Sequence, residues 1–366
     1  MSFTQSDHQF MQRALELARL GEFSTDPNPR VGCVFVKDDR IVAEGWTQPA
    51  GDLHAEAIAI RDAETSLTGA DCYVTLEPCS HYGRTPPCAN ALIESGIGRV
   101  VIAIQDPNPD VSGKGISALR QAGISVETGL YADEALYINR GFINRMTTGL
   151  PYVTMKMGMS MDAKTAMASG ESQWITCPDS RRIVQHLRAQ SGAVITGRQT
   201  VVSDNPSMNV RTDELPDADQ DKLLHQPIRV ILDSKRSLSG NEGIFTLDNN
   251  YLWVSTVNNG DDSEVELTVP GQANGKIDLL FVLKHLAERG CNEVLIEAGA
   301  ELSGAFVAAN LIDEVQLFMA PVMLGHEARD LINLPGMQHL SDKKQFEFIS
   351  ARQIGADVQL IFQRGK

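Results

Sequence analysis

The stretch that decides the reading begins His54-Ala55-Glu56, continues to Pro78-Cys79, and closes on Pro87-Cys88 after an eight-residue interval, Ser80-His81-Tyr82-Gly83-Arg84-Thr85-Pro86-Pro87. One imidazole and two thiolates form the ligand set of a catalytic zinc site with an open fourth position. A carboxylate two residues beyond the histidine is placed to move a proton at a metal-bound water. Alone, each element is bland: an isolated cysteine is usually a small buried hydrophobe, and an isolated His-x-Glu is usually surface. Together, in this order and with proline before each cysteine, they point to a metal centre at His54, Cys79 and Cys88.

Local propensity supports that placement. His54 follows a loop ending Pro49-Ala50-Gly51-Asp52-Leu53 and precedes good helix formers over 55–63, so it is expected on the first turn of a helix. Cys88 precedes a second helical run over 89–94. A helix N-terminus favours negative charge and so favours thiolate over thiol. Two thiolates cancel the charge of the dication, and water bound to such a zinc loses its proton near pH ~7. Glu56 can take that proton and pass it to a leaving amine. His-x-Glu followed by Pro-Cys-x-x-Cys is the signature of zinc deaminases; here the interval between the cysteines is eight residues instead of two.

Composition narrows the substrate. A length of 366 residues suggests two domains, and a hydrophobic content of 42% suffices for two cores. No apolar run is long enough to span a bilayer, and the start Met1-Ser2-Phe3-Thr4-Gln5-Ser6-Asp7 lacks the basic and apolar regions of a secretory signal. The six cysteines, at 33, 72, 79, 88, 177 and 291, are scattered, which fits a reducing cytoplasm better than a disulfide framework. A net charge of −15 argues against long nucleic acid as substrate, so a small molecule is expected.

Along the chain, Asp7 is expected to cap a helix over 8–20, with Phe10, Met11, Ala14, Leu15, Leu17 and Ala18 on its apolar face. A hairpin over 31–36 and 40–44 follows the turn cluster Asp26-Pro27-Asn28-Pro29. Strands over 72–76, 99–104 and 124–127 alternate with helices, and 133–146 reads as one last helix, which implies a layered α/β unit. Thr147-Thr148-Gly149-Leu150-Pro151 is a punctuated break, so domains are expected at 1–147 and 151–366. Beyond it, strands are expected over 152–157, 193–196, 228–232, 251–255 and 293–297, and a helix over 178–190. Continuous apolar runs such as Val230-Ile231-Leu232 suggest strands buried on both faces. Residues 158–165, 169–174 and 200–211 read as loops, and the acidic stretches 213–221 and 258–264 as surface excursions.

The second half carries a weaker chemical signal. Residues 294–306 read as strand, small-residue turn and helix, a geometry that lets phosphate approach backbone N–H groups, although the three-glycine dinucleotide fingerprint is absent. Lys156, Ser172, Arg188 and Arg211 are candidates for a substrate phosphate. The residues alone reach a second α/β domain with a candidate nucleotide site.

The motif His54-Ala55-Glu56 with residues 75–88 resembles the bifunctional deaminase/reductase family of riboflavin biosynthesis. So do Asp26-Pro27-Asn28-Pro29-Arg30-Val31-Gly32, Gln105-Asp106-Pro107-Asn108-Pro109, and residues 166–176, Ala166-Met167-Ala168-Ser169-Gly170-Glu171-Ser172-Gln173-Trp174-Ile175-Thr176. The resemblance spans nearly the whole chain. It implies a cytidine-deaminase-like αβα layered N-terminal domain and a dihydrofolate-reductase-like C-terminal domain. It implies zinc on His54, Cys79 and Cys88, with Glu56 as the proton donor, and NADPH as reductant. It places Lys156, Ser172, Arg188, Met208, Arg211 and Glu297 near substrate. It places Gly158, Trp174, Thr200, Asp204, Ser234 and the turn Gly299, Ala300, Glu301, Leu302, Ser303, Gly304, Ala305 near the dinucleotide. The implied substrate is a phosphorylated pyrimidine, and the implied assembly is a homodimer or larger. Two departures stand out: Thr47 and Ile58 occupy places where the family usually carries His. Two alternatives stay open at this stage. One is a zinc deaminase fused to a non-catalytic nucleotide-binding regulator; the other is a structural zinc module, with His81 as the nearby candidate for a fourth ligand.

Overall fold

A computed structural model describes residues 3–80, 87–108, 111–258, 263–272 and 275–365. His81, Pro109 and residues 259–262, named above, lie outside the described residues. The chain divides into two compact units, Met1–Gly149 and Leu150–Lys366.

The first unit runs α1 (Gln5–Arg19), β1 (Gly32–Lys37), β2 (Arg40–Trp46), α2 (Ala55–Arg61), β3 (Asp71–Leu76), α3 (Cys88–Glu94), β4 (Arg99–Ile104), α4 (Lys114–Gln121), β5 (Ser125–Thr128), α5 (Ala132–Ile138) and α6 (Arg140–Thr148). Its sheet has the order β2-β1-β3-β4-β5. The β1–β2 hairpin pairs antiparallel to β3, while β3, β4 and β5 run parallel through helical crossovers. Val34, Phe35, Val74, Val101 and Ile102 pack in its core with Met11, Leu15 and Leu92 from the helices. The parallel arrangement puts the segments that carry Cys79 and Gln105 side by side, just past the C-terminal ends of β3 and β4.

Two details differ from the sequence reading. Helix α1 starts at Gln5, capped by Thr4 instead of Asp7. Thr4 Oγ1 accepts from the Asp7 N–H at 3.1 Å, and Asp7 Oδ2 accepts from the Thr4 N–H at 2.7 Å, a reciprocal capping box. Asp7 Oδ1 instead reaches into the core, where it accepts from the Tyr73 hydroxyl and from Arg99 Nη1, each at 2.7 Å. Burial pushes its pKa up, but the Arg99 guanidinium and the Thr4 and Tyr73 donors hold the carboxyl well below the usual range. A carboxylate with a depressed folded pKa contributes stability above its unfolded pKa of about 4 and loses it as pH falls towards the folded value. Asp7→Asn is therefore expected to destabilise this unit by roughly 2 kcal/mol at neutral pH. The gap from the parent should narrow below about pH 4, and denaturant midpoints across pH check both parts. The second difference is the expected single helix over 133–146, which breaks into α5 and α6 at Asn139 (φ −104°, ψ 14°). Asn139 leaves helical geometry because its amide is used elsewhere: Oδ1 accepts from the Arg30 N–H at 2.8 Å, and Nδ2 donates to the Arg30 carbonyl at 2.9 Å.

The second unit begins with β6 (Tyr152–Ser160), β7 (Lys164–Ala166), α7 (Pro178–Gln190), β8 (Ala193–Gly197), α8 (Arg198–Asp204), α9 (Asp217–Gln220) and β9 (Ile228–Leu232). It continues through α10 (Gly243–Thr246), β10 (Tyr251–Ser255), β11 (Glu266–Thr268), α11 (Leu279–Glu288), β12 (Glu293–Ile296) and α12 (Ala300–Ala308). It closes with β13 (Glu314–Ala320), β14 (Arg329–Asp330), β15 (Phe346–Ile354) and β16 (Asp357–Arg364). Nine strands form one sheet in the order β11-β10-β9-β8-β12-β6-β13-β16-β15, while β7 pairs with β14 apart from it. From β11 to β13 the strands are parallel; β16 and β15 add an antiparallel edge. Burial on both faces is as expected: Val230 and Val294 pack with Leu283, Leu286 and Phe306, whereas Ile231 and Leu295 point to a separate cluster with Val184, Trp253 and Phe318.

Here too the loops are more ordered than the sequence suggested. Gly158, Met159 and Ser160 continue β6 because they pair with Phe318, Met319 and Ala320 of β13. Thr200 to Asp204 belong to α8. The acidic stretch around 213–221 holds a 3-10 turn, Thr212–Glu214, and α9, anchored by buried Leu215.

Candidate active sites

In the first unit, His54 is the N-cap of α2, one position earlier than the expected first turn, and Cys88 opens α3. Cys79 follows β3. His54 Nδ1 lies 3.6 Å from Cys79 Sγ and 3.4 Å from Cys88 Sγ. One ligand atom from each residue falls within 4.8 Å of the others. A tetrahedral zinc with Zn–S ~2.3 Å and Zn–N ~2.0–2.1 Å has S···N edges of about 3.6 Å, so the donor set fits that ion. The Cys88 N–H points at Cys79 Sγ at 3.3 Å, a donor to a thiolate.

The electrostatics agree. The hydrogen bond from Cys88 outweighs burial and, with His54, brings the Cys79 thiol down to about 4. Cys88 keeps the pair's remaining proton, because the bond to Cys79 and burial push its own thiol up. His54 is raised by its bond to Cys79. A dication would replace the shared proton and leave two thiolates. Glu56 is only 4% exposed on the first turn of α2. Burial raises its pKa and the Cys79 thiolate raises it further, which is the condition for a carboxyl that takes up and returns a proton.

Thr47 does not offer a free hydroxyl. It is 3% exposed, its Oγ1 accepts from the Val31 N–H at 3.2 Å, and its own N–H donates to the Val31 carbonyl at 2.9 Å. Ile58 is buried on the side of α2 that meets Gly45 of β2. These two replacements for His are therefore packed into the fold. Sequence reasoning passed over Glu77, whose carboxylate ties the metal-binding turn to a segment about thirty residues away. Its place between Leu76 and Pro78-Cys79 was the available signal.

In the second unit, Arg188 of α7 and Glu297, just after β12, form a buried two-pronged pair. Arg188 Nε donates to Oε1 at 2.5 Å and Nη2 to Oε2 at 3.1 Å. Arg188 Nη1 donates to the Asn209 carbonyl at 2.9 Å, and Nη2 lies 3.6 Å from Met208 Sδ. Burial pushes Glu297 up, but Arg188 and Lys156 hold its pKa below the usual value. Burial pushes the Lys156 ammonium down, with Arg188 adding to the effect and Glu297 opposing it. So Lys156, Arg188, Met208 and Glu297 are brought together. Arg188 is not a free cation awaiting a phosphate, because its guanidinium is committed to Glu297. Arg211 is likewise paired, through Nε and Nη2, with Glu214 at 2.6 and 3.1 Å. Ser172 is half-buried, and Trp174 is exposed with Arg181 stacked 4.7 Å from its ring centre.

Among the residues expected near a dinucleotide, Gly158 sits within β6 against Thr176. Thr200 and Asp204 lie on α8 beyond β8, and Ser234 lies just beyond β9. Burial raises Asp204, with Arg329 opposing. The N-cap of α12 is Gly299. Strands β9, β8 and β12 are neighbours, so Ser234, α8 and Gly299 share the C-terminal end of the parallel sheet, where open α/β sheets bind ligands. The first turn, Gly299 to Leu302, is where backbone N–H groups lack helical partners. The Ser303 N–H is already bonded to the Gly299 carbonyl at 3.1 Å, so Ser303, Gly304 and Ala305 belong to the helix interior. A Cβ on Gly304 would sit 1.8 Å from the Asn333 carbonyl oxygen, so this glycine serves packing.

An imidazole, two cysteines and a buried glutamate on such a sheet define a zinc-dependent hydrolytic deaminase, here joined to a second α/β unit. Residues 4–104 match the cytidine and deoxycytidylate deaminase zinc-binding region, and residues 151–360 match the RibD C-terminal domain. The riboflavin biosynthesis protein RibD of Escherichia coli (strain K12) is 46% identical, over 97% of this chain and 98% of that protein. RibD of Haemophilus influenzae is 44% identical, over 99% and 98%. The solved structure of Acinetobacter baumannii RibD is 42% identical, covers 99% of both chains and superposes with a TM-score of 0.90. A Thermotoga maritima diaminohydroxyphosphoribosylaminopyrimidine deaminase/5-amino-6-(5-phosphoribosylamino)uracil reductase is 32% identical, covers 98% of this chain and 99% of that one, and has a TM-score of 0.88. The chain belongs to the RibD family, the bifunctional deaminase/reductases of riboflavin biosynthesis, with a zinc-binding deaminase domain and a reductase domain that uses a nicotinamide cofactor. A non-catalytic second domain is not favoured, and no described helix is long and apolar enough to cross a membrane.

Proposed function

We propose that residues 1–147 remove the 2-amino group of 2,5-diamino-6-ribosylamino-4(3H)-pyrimidinone 5′-phosphate. Residues 151–366 then reduce the ribosyl group of 5-amino-6-(5-phosphoribosylamino)uracil to ribityl with NADPH. The observation that carries the deaminase half is the convergence of His54 Nδ1, Cys79 Sγ and Cys88 Sγ beside buried Glu56. When bound there, zinc supplies a water acidic enough to ionise near neutral pH. Glu56, almost wholly buried, would hold a proton in a site shielded from solvent and pass it to the departing amino group, which leaves as ammonia. The Cys88 N–H steadies the Cys79 thiolate.

In the reductase half, the Arg188–Glu297 pair fixes the floor beside Lys156, and Ser172 and Arg211 complete the candidate substrate contacts. Gly158, Trp174, Thr200, Asp204, Ser234 and the first turn of α12 are the candidate dinucleotide contacts. The carboxylate held by Arg188 keeps a negative charge next to the Lys156 ammonium, which opposes the tendency of burial to neutralise it. The chain is expected to act as a homodimer or larger assembly in the cytoplasm, on a small phosphorylated pyrimidine and not on nucleic acid. The net charge of −15 supports the last point. Incubation with the diaminopyrimidinone phosphate, with and without NADPH, tests the reading. Ammonia is expected in both cases, and loss of the reduced-nicotinamide band only after deamination. Ammonia release without any later NADPH oxidation would leave the second unit unassigned.

Gly299→Val probes the dinucleotide cradle. Gly299 has φ −74° and open space where a Cβ would stand, so valine fits the backbone and the constraint is not a positive φ. The added methyls instead obstruct phosphate approach to the amides of the first turn. KM for NADPH is expected to rise at least ~10-fold, the size of one or two charge-assisted hydrogen bonds, while deamination continues. A dissociation constant within about twofold of the parent, roughly 0.4 kcal/mol, would reduce the turn to a simple connection.

A further inference from the structure

Beside the metal-binding turn, Glu77 is a buried carboxylate to which neither half-reaction gives a role. Glu77 is 3% exposed and pairs with no cationic side chain among the described residues. Among the described residues, its carboxylate is met by backbone amides. Oε2 accepts from the Asp106 N–H at 3.2 Å and from the Gly113 N–H at 2.9 Å, and Oε1 accepts from the Ile116 N–H at 3.1 Å. Gly113 is the N-cap of α4, so two of the three donors come from the positive end of that helix. A second contact adjoins the first. A Cβ on Gly115 would lie 2.1 Å from the Pro78 carbonyl oxygen, so only glycine lets the first turn of α4 close on the peptide preceding Cys79. Glu77 itself donates its N–H to the Ile104 carbonyl at 3.0 Å.

We infer that Glu77 is a positioning residue for the metal: it clamps the Pro78-Cys79 turn to the start of α4 and thereby sets how firmly Cys79 holds zinc. The inference rests on the zinc assignment proposed above. Cys79 leaves β3 through two residues only, Glu77 and Pro78. Its thiolate therefore depends on what fixes those two, both of which meet the start of α4, as well as on the α3 amides: the Cys88 N–H reaches its Sγ and the Ala89 N–H its carbonyl. Groups outside the ligand shell that orient a ligand typically govern metal affinity by 10- to 100-fold. Glutamine at 77 would keep the shape, but its NH2 would face backbone N–H donors, so at least one amide would lose its acceptor. Alanine at 115 would keep glutamate at 77 but push the Pro78 peptide away, its Cβ also standing 3.3 Å from Glu77 Cγ and Oε1.

The test uses the full-length, zinc-loaded protein, with zinc content of the parent measured first. Zinc release to a chromogenic chelator, the visible spectrum of the cobalt-substituted protein, kcat and KM for ammonia release, and reductase activity on deaminated substrate are then compared for the parent, Glu77→Gln and Gly115→Ala. Both variants should release zinc at least tenfold faster and show altered cobalt bands. kcat for ammonia should fall about tenfold, with a smaller change in KM. The circular dichroism spectrum serves as the folding control, and reductase activity shows that the second unit is untouched. Zinc release within twofold of the parent in either variant overturns the inference, even if melting temperature falls, because a purely structural clamp would move only the latter. A parent without stoichiometric zinc overturns the underlying zinc assignment and this inference together.

Discussion

Cys88→Ser is expected to strip the metal and abolish ammonia release, leaving reduction of separately supplied deaminated substrate intact. The reason lies in the ligand chemistry. A serine hydroxyl stays protonated at neutral pH and is a poor ligand where a thiolate is required. Cys88 also occupies the first position of α3, and its N–H donates to Cys79 Sγ at 3.3 Å, so the backbone half of that contact survives the substitution and the fold should too. Cys79→Ser should behave alike. Metal analysis by mass spectrometry, beside separate ammonia and nicotinamide assays, decides the matter. Full zinc occupancy in both variants would remove these cysteines from the ligand set. Loss of the reductase reaction in a folded variant would show that the halves are not independent catalysts.

Glu56→Gln is expected to retain zinc and lose deamination by roughly 10²- to 10⁴-fold, the size of a general acid–base contribution. Glutamine keeps the shape of a side chain that is almost wholly buried, so little of the loss should be structural. The pH profile gives a second reading. Burial and the neighbouring Cys79 raise the Glu56 pKa. In the parent, the rate should fall on the acid side as the base becomes protonated before it can act. That limb should vanish in the variant. A rate within tenfold of the parent would assign the proton to another group.

How much of this was readable from the chain follows from distance along it. The metal ligands sit in short motifs with their own punctuation, so His54, Glu56, Cys79 and Cys88 could be picked out before any fold was known. Strands such as Arg99–Ile104 and Ile228–Leu232 announced themselves by apolar runs. What escaped depends on partners far away. Asn139 breaks a helix to hold Arg30, 109 residues distant, and nothing in the local pattern shows it. Gly158 looks like the start of a loop until β13 arrives to pair with it. Arg188 reads as an available cation, yet Glu297, 109 residues on, occupies it. Glu77 looks like a motif residue of no stated purpose because its three donors come 29 to 39 residues later.

The strand order also fixes when each half can become active during synthesis. The deaminase unit is one continuous run, Met1–Gly149, and every ligand of its metal has been made by residue 88. The reductase sheet is different. Strand β12, which starts at Glu293, lies between β8, complete at Gly197, and β6, complete at Ser160, and it carries the approach to Glu297 and Gly299. Until residues 293–296 leave the ribosome, β6 and β8 have no shared neighbour, and their apolar edges must wait. Domains generally fold as units, the N-terminal one first, and non-local parallel pairings are slow to form. A nascent chain arrested near residue 280 should thus resist protease in its first half and be digested throughout its second. On this view a translation error late in the chain costs only the second reaction.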